Sequence, residues 1–240
     1  MPLLRGTIHE LTGAPNVGLA ILTNDRWNSA MSQVGAALVR PEILPVEEPY
    51  AVQLGDGRFA TAARVVSLET PGAEPDGTSP FGPAQGSLLT EELSRLEDAL
   101  LRFLQLPLLL RPAPQPRRPV GDASRYPNWG DLYFGNQLTG GERKRFIVVS
   151  PNEWNAATGL VSAIRTTSKF KLNVAQFPKI QGGRIHACCG DLSTFGPGAL
   201  LLRRQSRPTP ATSTLAEMVA IARGLVITHE LGGALARAGI

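Results

Sequence analysis

The chain has 240 residues, of which 42% are apolar and 18% charged, a composition that excludes a disordered protein. No apolar run reaches the about 18 residues needed to cross a bilayer, so no membrane association is expected. The net charge of +4 is uneven, because residues 1–123 carry 10 Lys and Arg against 14 Asp and Glu, whereas residues 124–240 carry 14 against 6. The basic second part predicts an anionic partner, and solubility alone is the other interpretation.

Short apolar segments between Gly, Pro and polar turns predict a mainly β chain with terminal helices. The predicted strands lie at about 5–10, 17–23, 34–40, 50–54 and 58–68, and then at about 130–135, 145–150, 160–165, 171–177 and 184–190. A loop is predicted at 71–86. One helix is predicted after each set of strands, with Thr90 as the first N-cap and Thr214 with Glu217 as the second capping box. Gly232 and Gly233 are expected to end the second helix.

The two sets of strands carry an internal repeat. An apolar strand, a polar turn and a Trp-Asn pair occur at 19–28 and again at 146–155, and four further matches flank this pair in the same order. A Pro-rich linker is predicted at 111–124, because this segment continues neither a strand nor a helix. The predicted domains are therefore 1–110 and 125–240. We expect them to pack as an intramolecular pseudo-dimer, since each copy alone buries little surface.

Three segments of the second half carry a family resemblance. They are Trp129-Gly-Asp-Leu-Tyr133, Arg143-Lys-Arg-Phe-Ile-Val-Val-Ser150 and Gly159-Leu-Val-Ser-Ala-Ile-Arg-Thr-Thr-Ser168. In this order they resemble the PemK/MazF toxins of the CcdB/MazF superfamily, and the first half resembles a more diverged copy. The resemblance implies two SH3-like small barrels in one chain. It also implies a metal-independent endoribonuclease of a toxin–antitoxin system that acts on single-stranded RNA, leaves cyclic-phosphate ends, uses no cofactor and has an antitoxin as partner.

The resemblance gives four candidate catalytic residues. In the family an arginine and a threonine or serine contact the reacting phosphate; the alignment places Lys144 and Arg165 there, and a shift of one residue places Arg145 and Thr166 there instead. Side chains alternate along a strand, so the two alignments present opposite faces to the substrate. The candidate nucleic-acid-binding residues are Arg143, Lys144, Arg145, Thr167, Lys169, Lys171, Lys179 and Arg184.

The first half departs from this pattern. Val17 and Gly18 stand at the basic positions, and the alignment pairs Arg40 with Arg165 and Pro41 with Thr166. We therefore expect no catalytic set in the first half. An alternative interpretation is a catalytically decayed binding module, which engages a protein partner or a nucleic acid without cleaving it.

The cysteines give little support to a metal or redox site. Cys188 and Cys189 are adjacent, without the spacing of a zinc site, and His186 and Asp191 nearby do not complete one. We expect two small apolar residues in a strand and no metal. Reduced cysteines, together with an N-terminal sequence unlike a signal peptide, predict a cytoplasmic location. Trp27 and Trp154 recur in both halves, which predicts a shared packing role.

Overall fold

The computed structural model describes residues 3–31, 33–70, 79–111, 127–135, 144–169, 175–196, 199–201 and 211–240. The strands of the first half are β1 (Thr7–Leu11), β2 (Gly18–Ile21), β3 (Gln33–Arg40), β4 (Ala51–Gln53), β5 (Phe59–Glu69) and β6 (Phe81–Ser87). Those of the second half are β7 (Asp131–Gly135), β8 (Lys144–Val148), β9 (Val161–Thr167), β10 (Lys179–Ile180), β11 (Ile185–Phe195), β12 (Leu200–Leu201) and β13 (Ala211–Thr212).

Six α-helices lie in the described part of the chain. They are α1 (Asp25–Ala30), α2 (Thr90–Phe103), α3 (Leu106–Leu110), α4 (Asn152–Thr158), α5 (Leu215–Thr228) and α6 (Gly232–Arg237), and a 3-10 helix covers Pro45–Tyr50. None of these helices combines the length and the apolar character required to span a bilayer. The prediction of a mainly β chain with terminal helices is confirmed.

The two halves form antiparallel sheets with the same strand order. Among the described strands the first sheet runs β4-β5-β3-β2-β1-β6, and the second runs β10-β11-β9-β8-β7-β12, with β13 also pairing with β7. Each strand of the first order corresponds to the strand at the same place in the second. The repeat found in the sequence is therefore a repeat of topology.

Each sheet curls around a small apolar cluster. Phe81 on β6 and Leu68 on β5 belong to one cluster, although β1, β2 and β3 separate their strands. Across a flat sheet these strands would be roughly 19 Å apart, so the sheet is strongly bent. In the second half Phe146 on β8 and Phe195 on β11, whose strands are separated by β9, belong to one such cluster, and their ring centroids are 4.7 Å apart.

The opposite faces of the sheets meet in one core shared by both halves. Leu96 and Leu100 of α2, together with Ile221 and Leu225 of α5, belong to a single cluster that also contains residues of both sheets. Helix α3, at the end of the first half, packs against α5 of the second. The apolar faces of α2 and α5, which the sequence predicts as separate helices, are thus buried in the same core.

The two tryptophans make matching contacts across the halves. Trp27 stacks on Phe177 of the second half, with centroids 5.3 Å apart. Trp154 meets Tyr50 of the first half edge to face at 5.9 Å. Tyr50 and Phe177 occupy similar places, each shortly before the edge strand β4 or β10. The predicted packing role of both tryptophans is confirmed, and aromatic pairs of this kind stabilise beyond their buried area.

Hydrogen bonds also join the halves. The amides of Val65 and Ser67 on β5 donate to the hydroxyls of Thr194 and Ser193 on β11, each at 3.1 Å. The side chain of Asn24 caps α1 by accepting from Trp27 N, and its amide group donates to the carbonyl of Ile227 at 2.9 Å. Since these donors are largely buried, the loss of one of these hydrogen bonds would leave a polar group unsatisfied.

Three local predictions are corrected. Residues 175–177 form a turn and the edge strand follows at Lys179–Ile180, whereas residues 171–174 lie outside the described part. The segment Phe81–Ser87, predicted as part of a loop, pairs with β1 as strand β6. Helix α5 ends at Thr228, and Gly232 begins α6 instead of ending α5.

The capping box at the start of α5 is confirmed, since Glu217 N donates to the Thr214 hydroxyl at 3.2 Å and Thr214 N to the Glu217 carboxylate at 2.9 Å. At α2, however, Leu89 takes the N-cap position and Thr90 is the first helical residue. Glu92 there performs one half of a capping box by accepting from Leu89 N at 2.8 Å.

Candidate functional site

The basic segment of the second half begins strand β8. Lys144 and Arg145 are its first two residues, and both are half-buried. Arg143 and Lys171, predicted as nucleic-acid-binding residues, lie outside the described residues, as does most of the predicted linker 111–124. The candidates that can be placed are therefore those on β8, β9 and β10, Lys169 shortly after β9 and Arg184 in the turn before β11.

The strand register divides the candidate catalytic residues between the two faces of the sheet. Arg145 lies opposite Thr166 on β9 and opposite Phe134 on β7. Residues opposite each other in an antiparallel pair share a face, so Phe134, Arg145 and Thr166 form a row across three strands. We call these three residues the Arg145 row.

Lys144 and Arg165 lie on the other face. Arg165 is opposite Phe146, and Lys144 is two residues before Phe146, so all three share one face by strand alternation. Of the two alignments that the sequence allows, one places Lys144 and Arg165 at the phosphate, and the other places Arg145 and Thr166 there. Only the second pair consists of direct cross-strand neighbours.

Contacts within the Arg145 row fix its side chains. The guanidinium carbon of Arg145 lies over the ring of Phe134, 5.4 Å from the centroid, which is within the range of a cation–π interaction. The hydroxyl of Thr166, a residue only 6% exposed, donates to the carbonyl of Arg145 at 3.2 Å. The row thus brings an arginine and a threonine together at the end of the sheet.

Arg165 is held by an acidic partner and by the first half. Its guanidinium forms an ion pair with Asp191, whose side chain is 4% exposed, and donates to the Gln33 side chain at 2.8 Å. Burial raises the pKa of Asp191, and the charge of Arg165 opposes this effect. Much of the positive charge of Arg165 is therefore compensated within the protein.

The remaining candidates lie around the strand ends. Thr167 is opposite His186, which in turn is opposite Lys179, so these three residues form a second cross-strand row. His186 is buried and its Nδ1 lies 3.1 Å from the carbonyl of Phe177. Lys169, Lys179 and Arg184 are exposed, and they give this end of the second half a basic surface.

The first half has different residues at the places of the Arg145 row. Gly18 is opposite Glu10 on β1 and Val39 on β3, just as Arg145 is opposite Phe134 and Thr166. This register corrects the sequence alignment, because Leu38, and not Arg40, takes the place of Arg165.

Arginines of the first half are engaged elsewhere. Arg40 and Arg64 both pair with the buried carboxylate of Glu47. Burial would raise the pKa of Glu47, but the hydrogen bond from Arg64 and the charges of both arginines hold this pKa below its usual value. Arg58 lies close to Gly18 and pairs with Asp56 at 2.7 Å. These arginines have structural ion-pair partners.

Cys188 and Cys189 are free thiols buried in β11, as expected for small apolar residues of a strand. Within the described residues, no group of three His, Cys, Asp or Glu side chains is arranged to hold a metal ion.

No family model and no curated protein matches the chain. Solved structures similar to part of it include an endoribonuclease in complex with its cognate antitoxin from a mycobacterial species. That protein is 20% identical with a TM-score of 0.36, and the match covers 44% of this chain and 97% of that one. A MazE–MazF complex from Deinococcus radiodurans is 20% identical with a TM-score of 0.32, covering 42% of this chain and 92% of that one. At this identity the similarity concerns the fold of less than half of the chain.

Sequence reasoning did not identify Phe134, Gln33 or Asp191 as partners of the candidate arginines. Phe134 directly follows the motif Trp129–Tyr133. Strand alternation places its side chain on the opposite face from Tyr133, and this is the feature of the sequence that could have indicated its position. Gln33 and Asp191 are distant in sequence from Arg165, so only the packing of the two halves reveals their contact.

Proposed function

We propose that the second half binds single-stranded RNA and cleaves it as a metal-independent endoribonuclease, with Arg145 and Thr166 at the reacting phosphate. The observation that carries this proposal is the register that makes Arg145 and Thr166 cross-strand neighbours. These are the residue types that the PemK/MazF resemblance calls for at that phosphate.

The reaction is an attack of the RNA 2′-oxygen on the adjacent phosphorus. The bond from phosphorus to the 5′-oxygen breaks, the 2′-hydroxyl loses a proton and the leaving 5′-oxygen gains one, so the products are a 2′,3′-cyclic phosphate and a 5′-hydroxyl. Negative charge develops on the phosphoryl oxygens. The guanidinium of Arg145 supplies charge-assisted hydrogen bonds to these oxygens, and a fixed donor is worth more in the transition state than in water.

Replacing Arg145 with alanine is expected to lower kcat about 10²–10³-fold, because one donor to the transition state is lost. Arg145→Lys should retain part of the rate, since lysine keeps the charge but lacks the bidentate fork. The measurement is cleavage of a mixed-sequence RNA without metal ions, with the cyclic-phosphate ends quantified. Arg95→Ala is the control, because Arg95 is an exposed arginine on α2 of the other half. Equal cleavage by Arg145→Ala and Arg95→Ala would contradict the proposal.

The basic surface of the second half is proposed to bind the flanking phosphates through Lys144, Thr167, Lys169, Lys179 and Arg184. Log affinity should then fall with log salt with a slope of roughly 0.7 per phosphate contact. Replacing exposed Lys179 or Arg184 with alanine should each reduce this slope by about one contact, as measured by fluorescence anisotropy with a labelled oligonucleotide. A slope near zero in the unchanged protein would exclude phosphate binding.

A second candidate function is a binding module without catalysis. It is favoured by the compensation of Arg165 by Asp191 and by the Gly18–Val39 pair in the first half. Salt-sensitive binding of RNA that stays intact would support this candidate over the enzyme. Absence of both binding and cleavage would point to a protein partner.

The proposal extends to the organisation of the chain. We propose domains at 1–110 and 125–240 that act as an intramolecular pseudo-dimer, a cytoplasmic location and an antitoxin as the protein partner. The pseudo-dimer is supported by the shared core and by the matching contacts of Trp27 and Trp154. The reduced, buried cysteines fit the cytoplasm.

A further inference from the structure

The aromatic ring of Phe134 lies beneath the guanidinium of Arg145. The resemblance assigns no role to this residue. Phe134 is half-buried at the end of β7, directly opposite Arg145 in the β7–β8 register, and its ring lies 5.4 Å from the guanidinium carbon. The same guanidinium extends from the strand position opposite Thr166. The ring and the hydroxyl therefore flank one arginine on its two neighbouring strands.

We propose that Phe134 is a positioning residue, which holds the guanidinium of Arg145 in the orientation that meets the reacting phosphate. This inference rests on the proposed function of the site. An arginine side chain loses rotamer entropy when it is fixed, and displacement of a catalytic group by about 1 Å costs as much as 10²-fold in rate. A cation–π contact with Phe134 helps to fix the guanidinium before the substrate arrives.

A phenyl ring suits this task because it orients a cation without adding a negative charge. At Arg165 the guanidinium is held by the carboxylate of Asp191, which compensates its charge. A carboxylate beside a phosphate-binding arginine would also repel the phosphate. The ring of Phe134 itself adds no charge beside Arg145.

The first half supports this assignment by comparison. There the strand position of Phe134 is taken by Glu10 and that of Arg145 by Gly18. The aromatic residue and the arginine are thus both present in one half and both absent from the other.

The test compares Phe134→Leu with Phe134→Tyr in the full chain. Leucine keeps an apolar side chain but removes the ring, whereas tyrosine keeps the ring face. We expect Phe134→Leu to lower kcat about 10-fold with a smaller change in KM, because the contact acts on the transition state, and Phe134→Tyr to restore most of the rate. Phe195→Leu is the matched control, since Phe195 is an aromatic residue of the same sheet that packs on the opposite face.

A second readout does not depend on activity. In NMR spectra the guanidinium Hε proton of Arg145 should carry an upfield ring-current shift that is lost in Phe134→Leu and retained in both Phe134→Tyr and Phe195→Leu. Loss of this shift without any fall in kcat would overturn the positioning role, and so would an unchanged shift in Phe134→Leu. If the unchanged protein shows the ring-current shift but cleaves no RNA, the proposed ribonuclease function fails, and the positioning role fails with it because there is then no rate for the ring to support.

Discussion

Replacing Gly190 with alanine is expected to destabilise the folded chain by about 3 kcal/mol. A Cβ at this position would overlap the indole of Trp27 in the opposite half. The indole has little freedom to move away, because its Nε1 donates to the carbonyl of Gln33 at 3.1 Å and its ring is stacked on Phe177. Urea unfolding, followed by circular dichroism, measures the loss.

Two further variants make this prediction specific. Gly196 follows the same strand and has open space around its Cβ position, so Gly196→Ala should change the free energy of unfolding by less than about 0.5 kcal/mol. Trp27→Leu creates room beside Gly190, so the double variant should cost clearly less than the two single costs added together. Simple additivity would show that Gly190 and Trp27 do not compete for the same space.

The positions of most strands and the repeat could be predicted because local sequence patterns determine them. Trp27 and Trp154 each follow an apolar strand and a polar turn, and these signals survive when most other residues diverge. The capping box of Thr214 and Glu217 is equally local, because all of its hydrogen bonds lie within one turn. By contrast, β6 and β10 are edge strands with weak sequence signals, and their positions depend on the neighbouring strand.

Which candidate side chains share a face of the sheet could not be predicted from the sequence. A shift of one residue in the alignment of β9 exchanges Arg165 for Thr166, and with it the face of the sheet. Only the register with β8 decides which of them accompanies Arg145. The contact between Arg165 and Gln33 was likewise inaccessible, because it joins residues from different halves.

We expect His229 to make the stability of the folded chain fall as the solution is acidified. This side chain is completely buried at the end of α5, and its Nε2 lies 3.3 Å from the carbonyl of Cys189. Burial, together with the charge of Arg5, lowers the pKa of His229 from 6.5 to about 3. In the unfolded chain the imidazole takes up a proton near its ordinary pKa, whereas in the folded chain it stays neutral.

Because the folded pKa is depressed, the full stability is present above pH 6.5 and is lost as the pH falls towards 3. The loss from this one group is about 1.4 kcal/mol per pH unit, or roughly 2.7 kcal/mol at about pH 4.5. His229→Gln keeps a donor for the Cys189 carbonyl but cannot be protonated, so its free energy of unfolding should fall less steeply over this range. The measurement is urea unfolding of both proteins at several pH values. Carboxylates titrate in both, so the difference between the two curves isolates His229, and parallel curves would show that His229 is protonated equally in the folded and unfolded chains.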